Sequence, residues 1–390
     1  MRLQPAILRK LNERRVLNTI RIRKMLSRTD IQRELNLTLP TISRIVDGLI
    51  EQSWVREVGI GDTLMGRPPM LVEINPEPTV AIGVELGRLF IRIVYVNLLA
   101  EILYEEQIPA HSLQGVEELT NYIVQSISKH NLKLKDIIGI GMAAPGSKNP
   151  HPGHPQRILD NEPDHHWQKD ALAEKIQEQL GLPAWMENDA NAAVLGEMWF
   201  GVGNSASHLV FVYADEGLGA GIAVNGSIYR GENNVAGEFA HLIVDIHGES
   251  VCKCGRRGCL GNVAHTMAIK KAVNEARNTD SVTVGEIIER ATQGIEPEVS
   301  VISRTLDYLS VGILNLIQVI DPSMVILGGS TFLSDPYMIT EMQRRIYELM
   351  HPLRISVVAT VFGENAVAVG AATIVLQNVY DHTQLIENPS

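Results

Sequence analysis

The sequence predicts an α/β chain in two parts: a small basic helical head closed by a wing, and a larger acidic body of alternating strands and helices. Three observations predict it. Charge divides between the parts: residues 1–70 carry 13 Lys+Arg against 7 Asp+Glu, the remaining 320 carry 21 against 38, and the net is −11. Apolar residues in the first 50 positions recur at helical spacing. From Thr79 onward, short runs of Val, Ile and Ala end in glycine-marked turns and alternate with helical stretches. With 390 residues, 45% of them hydrophobic and 20% charged, the chain is long enough for two or three units with their own cores.

In the head, residues 1–77, the spacing predicts a helix from Ile7 to Met25, carrying Leu8, Leu11, Val16, Ile20 and Ile22 among arginines. Thr29 and Asp30, both good N-caps, announce a second helix through Ile31 and Leu35, and Asn36-Leu37 makes the turn. Thr38 reads as the cap of a third helix with Pro40 in its first turn, where a missing N–H costs nothing. Ile42, Ile45, Val46, Leu49 and Ile50 form its buried stripe, and Thr41, Ser43, Arg44 and Asp47 face away. Trp54–Val58 and Met70–Ile74 read as strands flanking a loop in which Gly66-Arg67-Pro68 holds up an arginine. This order of elements is a winged helix-turn-helix. Thr38, Pro40, Thr41, Ser43 and Arg44 become candidates for major-groove contact and Arg67 for the minor groove. The plainer reading is a helical bundle with a tail hairpin.

In the body, Val80–Val84, Ile91–Val96, Ile137–Met142, Ala184–Glu187, Leu209–Tyr213, Gly221–Val224 and Met324–Leu327 read as strands, with helices at Glu117–His130 and Asp170–Leu180. Ligands gather at the turns after such strands. No apolar run approaches the roughly 18 residues of a membrane span, and the N-terminus lacks a signal-peptide core, so the expected location is cytoplasmic, away from membranes. The three cysteines, Cys252, Cys254 and Cys259, lie too close for a disulfide framework and suit a metal site. A tetrahedral site needs a fourth ligand, and His241, His247 and His265 are near. Residues 147–166 hold His151, His154, His165 and His166 among prolines and read as a surface loop.

Three stretches carry a resemblance: Glu187-Asn-Asp-Ala-Asn-Ala192, Gly237-Glu-Phe-Ala-His241 and Cys252-Lys-Cys-Gly-Arg-Arg-Gly-Cys-Leu260. The chain resembles the ROK family of repressors, open reading frames and sugar kinases, and within it the N-acetylglucosamine, xylose and glucose-uptake repressors. The resemblance implies two actin/hexokinase-like (ribonuclease H-like) lobes with a sugar between them. Lobe 1 would span 78–190, completed by a C-terminal helix at 366–380, and lobe 2 would span 191–365 with a zinc knuckle. It selects His241 to join Cys252, Cys254 and Cys259 on a structural Zn²⁺. It places Pro145, Gly146, Asn188, Asp189, Glu238 and His241 at the sugar, with Asp189 the general base if the chain were a kinase.

Departures from the family's pattern separate regulator from kinase. Gly261 stands where the kinases have a sugar-binding Glu. Glu85-Leu-Gly-Arg-Leu89 replaces the phosphate loop Asp-x-Gly-Gly-Thr, and Asp215-Glu-Gly-Leu-Gly-Ala-Gly221 puts two acids at the second loop. Both argue against ATP. The function expected is a sugar-responsive DNA-binding regulator, a repressor of carbohydrate genes without catalysis. Its partners would be operator DNA and a sugar or sugar phosphate, and it would act as a homodimer or tetramer. The alternative is an active ATP-dependent sugar kinase with a DNA-binding appendage.

Overall fold

A computed structural model describes residues 5–60, 69–113, 115–146, 169–278, 282–350 and 355–380. The head contains α1 (Pro5–Arg23), β1 (Met25–Ser27), α2 (Arg28–Leu35), α3 (Leu39–Glu51), β2 (Val55–Ile60) and β3 (Met70–Ile74). The first helix stops short of Met25 because Lys24 takes a left-handed φ of 68°, which a helix cannot continue through. Met25–Ser27 then add a third strand that the sequence reading lacked, giving the order β1-β3-β2. The cap of α2 also differs from expectation. Ser27 caps the helix: its Oγ accepts from the Asp30 amide at 3.1 Å while Asp30 Oδ2 accepts from the Ser27 amide at 3.2 Å. Thr38 caps α3 as its position suggests, with Pro40 in the first turn. Ile42, Val46 and Leu49 pack with Val16, Leu17 and Ile20 of α1, and Ile45 and Ile50 lie half-buried at the border.

The body is built on two five-stranded sheets of one topology. The first contains β4 (Val80–Leu86), β5 (Phe90–Val96), β6 (Ile102–Pro109), β7 (Ile137–Ala144) and β8 (Ala184–Asn188), in the order β6-β5-β4-β7-β8. Strands β4 to β6 form an antiparallel meander, and β7 and β8 run parallel to β4. Helices α4 (Val116–Lys129), α5 (Lys169–Leu180) and α6 (Asp189–Phe200) belong to this half of the chain. The second sheet repeats the pattern with β9 (Leu209–Ala214), β10 (Leu218–Val224), β11 (Ser227–Ile228), β12 (Met324–Gly328) and β13 (Ser356–Ala359), in the order β11-β10-β9-β12-β13. Its crossovers carry α7 (Thr266–Arg277), α8 (Val284–Thr292), α9 (Glu298–Ile320) and α10 (Pro336–Met350), and α11 (Ala366–Tyr380) follows its last strand. Strand β6 escaped the sequence reading because its exposed edge shows no apolar run.

The helix after each fifth strand packs on the other half's sheet. α6 lies on β9 and β10, α11 lies on β4 and β7, and the two cross between the sheets. The crossing is made of alanine and glycine, so backbone meets backbone. A Cβ on Gly370 would lie 1.9 Å from the Ala192 carbonyl oxygen, and one on Gly83 would lie 1.9 Å from that of Ala368. Neither neighbour is the free end of a side chain, so neither can move aside.

Gly370→Ala is therefore expected to cost about 2–3 kcal/mol by overpacking, outweighing the roughly 1 kcal/mol by which alanine is the better helix former. Urea denaturation measures the difference, and unchanged or higher stability would contradict this account of the crossing.

Candidate functional site

A cleft of about 370 Å³ opens between the two halves, where β4, β7, β9 and β12 end. Its lining includes Glu85, Gly87, Arg88 and Leu89 around the β4–β5 turn, Pro145 after β7, Asp189 at the start of α6, Asp215 to Gly217 at the β9–β10 turn, and Lys270 of α7. Parallel strands β7 and β8 bring Pro145, Gly146, Asn188 and Asp189 to one place. Asn188 caps α6, its Oδ1 accepting from the Asn191 amide at 3.0 Å, and its Nδ2 donates to the Gly146 carbonyl at 3.2 Å. Asp189 is buried, and its Oδ1 accepts from the Ala190 amide at 2.8 Å.

Glu238 and His241 lie on the second half, in and just before a single 3-10 turn at Phe239–His241, outside that lining. Gly261 is buried against Ala240, where a Cβ would come within 3.1 Å of the Ala240 Cβ.

The cleft is strongly acidic. Tyr213 Oη lies 2.9 Å from Glu85 Oε1 and 3.3 Å from Asp215 Oδ2, and Ser330 donates to Asp215 at 2.7 Å. Burial raises the Glu85 carboxyl to a pKa of about 7, against the pull of Arg92, whose Nη1 is 3.4 Å away; Asp189 and Asp215 add to the rise. Glu216 is raised by burial and by Asp215, and its Oε2 accepts the Leu89 amide at 3.1 Å. The two turns expected to hold phosphates are thus bridged by the chain's own carboxylate. Only Asp215–Gly217 of the second expected glycine loop is a turn. Leu218–Gly221 belongs to β10, and Gly221 is required there because a Cβ would strike the Ala190 carbonyl at 2.1 Å. Glu85 and Tyr213 were not candidates beforehand. The signal was a lone acid in the apolar run Val80–Leu86 and a lone phenol in Leu209–Ala214.

His241, Cys252, Cys254 and Cys259 form a second cluster that could hold a metal ion, their ligand atoms all within 4.8 Å of one another. Cys252 Sγ is 3.5 Å from His241 Nδ1, and Cys254 Sγ is 3.7 Å from Cys259 Sγ. The other two histidines are placed differently. His247 is exposed, and His265 caps α7 by accepting the Ala268 amide at 3.0 Å.

On α3, Thr38, Pro40 and Arg44 are exposed and Thr41 and Ser43 half-buried, all near the helix N-terminus. Arg28 pairs with Asp47 at 2.7 Å and with Glu57 at 2.9 Å, tying α3 to β2. Arg67 lies outside the described residues, as does the histidine-rich 147–166 stretch.

Comparison with known proteins gives a consistent picture. The family whose model matches residues 81–378 is described as "ROK family". A xylose repressor of Caldicellulosiruptor bescii is 32% identical over 339 residues, covering 83% of this chain and 84% of that one. A glucokinase of Halalkalibacterium halodurans is 30% identical over 265 residues, covering 64% and 79%. Among solved structures, a ROK family transcriptional regulator described as a homolog of the E. coli MLC protein matches with a TM-score of 0.79 at 25% identity, covering 98% of this chain and 99% of that one. Among the described residues no helix is long and apolar enough to cross a membrane.

The Glu85 carboxyl has a pH signature. Its folded pKa lies above its unfolded value of 4.5, so protonation favours the folded state. Stability should decline as the pH rises from 4.5 through about 7. Glu85→Gln removes that dependence and should be more stable than wild type at pH 8 by on the order of 2–3 kcal/mol, with the gap closing toward pH 4.5. Parallel melting-temperature profiles of the two proteins would refute the shift.

Proposed function

The chain belongs to the ROK family, and on that premise we propose that it is a sugar-responsive transcriptional repressor that has lost kinase activity. The observation that carries the choice over a kinase is Glu216 on the Leu89 amide. A nucleotide phosphate bound between the two turns would need that N–H, and would face Glu85, Asp215 and Glu216. Arg88 and Leu89, in place of small and hydroxylated residues, leave no second cradle. Asp189 then serves as a hydroxyl acceptor beside Asn188, Pro145 and Gly146, and carboxylate and amide groups suit the hydroxyls of a sugar.

Cleft closure on a sugar would bring Glu238 and His241 toward the same ligand, because they lie on the opposite half. Differential affinity of the open and closed forms for DNA is what makes such a change regulatory. Thr38, Pro40, Thr41, Ser43, Arg44 and Arg67 would read the operator. A dimer would present two heads to a palindromic site. The relatives' names make D-xylose and D-glucose the first ligands to test, with N-acetylglucosamine from the sequence resemblance.

The metal proposed for the four-ligand cluster is zinc. Thiolates at a Zn–S distance of about 2.3 Å in a tetrahedron lie roughly 3.8 Å apart, and a thiolate and imidazole roughly 3.5 Å. The spacings of 3.7 and 3.5 Å fit that geometry. Such a metal would polarise no substrate. It would pin the loop after Glu238 to the 252–260 knuckle and fix the orientation of the His241 ring.

Four measurements test these readings. A sugar from the panel should raise the melting temperature of wild type but not of Asp189→Ala, and ADP production with the same sugars and ATP should be undetectable. Turnover abolished by Asp189→Ala would restore the kinase reading. Arg44→Ala should weaken binding to a duplex from the chain's own upstream region by roughly 10- to 100-fold, in keeping with about 1–3 kcal/mol for a base-reading arginine; an unaffected gel shift would place DNA elsewhere. Purified protein should carry close to one zinc per chain, and Cys254→Ser should lose it and melt lower. Metal-free protein of undiminished stability would remove zinc from the account.

A further inference from the structure

The head is joined to the body by more than a linker. Val16, Leu17 and Ile20 of α1, which also pack against α3, share one apolar core with Leu98 and Ala100 of the first half and with Leu376 and Tyr380 of α11. At the edge of this core Arg21 reaches into a cage of three rings. Its guanidinium carbon stands 4.5 Å from the Trp199 ring centre, 5.3 Å from Phe200 and 5.4 Å from Tyr380. Its Nη1 donates to the Trp199 carbonyl at 2.8 Å and its Nε to Asn18 Oδ1 at 3.0 Å. Trp199 lies in the last turn of α6, where carbonyls lack intrahelical partners and the helix presents negative charge. A planar cation with aromatic faces around it suits that place. Tyr380 closes the cage and is itself held by its hydroxyl on the Leu98 carbonyl at 2.7 Å.

The other end of α6 is the cleft. Asn188 caps the helix and Asp189 is its first residue, so the sugar-facing pair and the Arg21 seat lie at opposite ends of one 12-residue helix, about 18 Å long. Its C-terminal end is also tied to the second half. Buried Glu197 accepts from the Thr360 hydroxyl at 2.5 Å and from the Val361 amide at 3.1 Å, at the start of the loop between β13 and α11. A helix fixed to both halves and crossing α11 through alanine and glycine moves as a rod when the cleft changes width. Burial lowers the Arg21 pKa, but the group stays charged, so the joint works through position and not titration.

We infer that Arg21, seated on the C-terminal end of α6, is the positioning residue that transmits the state of the cleft to the DNA-reading helix. The route runs from Asn188 and Asp189 along α6 to Trp199, through Arg21 into α1, and across the α1–α3 core to Thr41 and Arg44. It rests on the sugar-responsive reading above, and it locates the coupling in a joint that touches neither sugar nor DNA.

The test compares full-length wild type with Arg21→Met, Arg21→Lys and Arg23→Met. Methionine keeps the stem packing and removes the cation; lysine keeps a cation that can still meet the carbonyl and the ring. Arg23 loses the same charge from the same turn of α1, but it is exposed and pairs with Glu34 inside the head. Binding to the upstream duplex is titrated with and without D-xylose, D-glucose and N-acetylglucosamine, alongside sugar-induced shifts in melting temperature. Wild type should change its DNA affinity at least about five-fold with the sugar that stabilises it, the low end of ordinary allosteric coupling. Arg21→Met should bind that sugar equally well yet change DNA affinity less than about two-fold. Arg21→Lys should keep most of the response and Arg23→Met all of it.

An undiminished response in Arg21→Met, or its loss of sugar binding, overturns the inference while leaving the sugar-responsive reading intact. A wild type that responds to none of the three sugars overturns both. If Arg21→Met does not fold, Trp199→Phe, which weakens the cation's seat, carries the same comparison: a halved or smaller response supports the joint and a full one refutes it.

Discussion

The crossing of α6 and α11 is the constraint on which the rest of the architecture depends. Each helix follows the last strand of one sheet and packs on the other, so the two halves are laced together by two strand–helix passages. Side chains at the crossing would push the helices apart and the sheets with them. Ala190, Ala192, Ala193, Gly370, Ala371 and Ala372 leave room for backbone contact instead. What a close-packed crossing cannot do is deform gradually, and rigid-body motion about it is the freedom that remains. The cleft lies at one end of such a crossing and the helix-turn-helix head at the other, which is the geometry the proposed coupling uses.

The chemistry of the cleft follows from where carboxylates have collected. Five acids, Glu85, Asp189, Asp215, Glu216 and Glu364, share about 370 Å³ with Arg88, Arg92 and Lys270. Burial and the neighbouring carboxylates raise the pKa values of Glu85 and Glu216, and Tyr213, Ser330 and the Leu89 amide hydrogen-bond to Glu85, Asp215 and Glu216. Under the proposed reading, such an arrangement would accept neutral hydroxyl groups more readily than a triphosphate. Relatives named repressor and glucokinase share the framework, so the fold alone does not choose between them. The proposed choice rests on the occupants of the two turns.

The cysteine cluster solves a local problem. The chain between β11 and α7 has little regular structure, with isolated bridges at Ile243–Cys259 and Val251–Arg257, one 3-10 turn and a four-residue helix at Gly261–Ala264. Phe239, Leu260 and Ala264 anchor it to the core of the second half, while the cysteines converge between those anchors. A metal on these four ligands, which converge within 4.8 Å, would add a further tie close to Glu238 in sequence.

The sequence by itself determined the division of charge, the helix-turn-helix with Thr38 and Pro40 at the start of its third helix, most of the apolar strands, and the cysteine spacing. These are legible because each depends on neighbours within a few residues: a period, a cap or a turn. It misread features decided by contacts far along the chain. Met25 left its helix because β3 had an edge to pair, and Gly221 looked like a phosphate-loop residue when α6 required it. The pairing of Glu85 with Tyr213 is not legible in the sequence because it spans 128 residues. Of the three histidines near the cysteines, tertiary structure alone shows that His265 is spent on a helix cap while His241 turns toward sulfur. Arg21 looked like one basic residue among many in α1. Only the fold sets it over Trp199, because that meeting requires both crossing helices to be in place first.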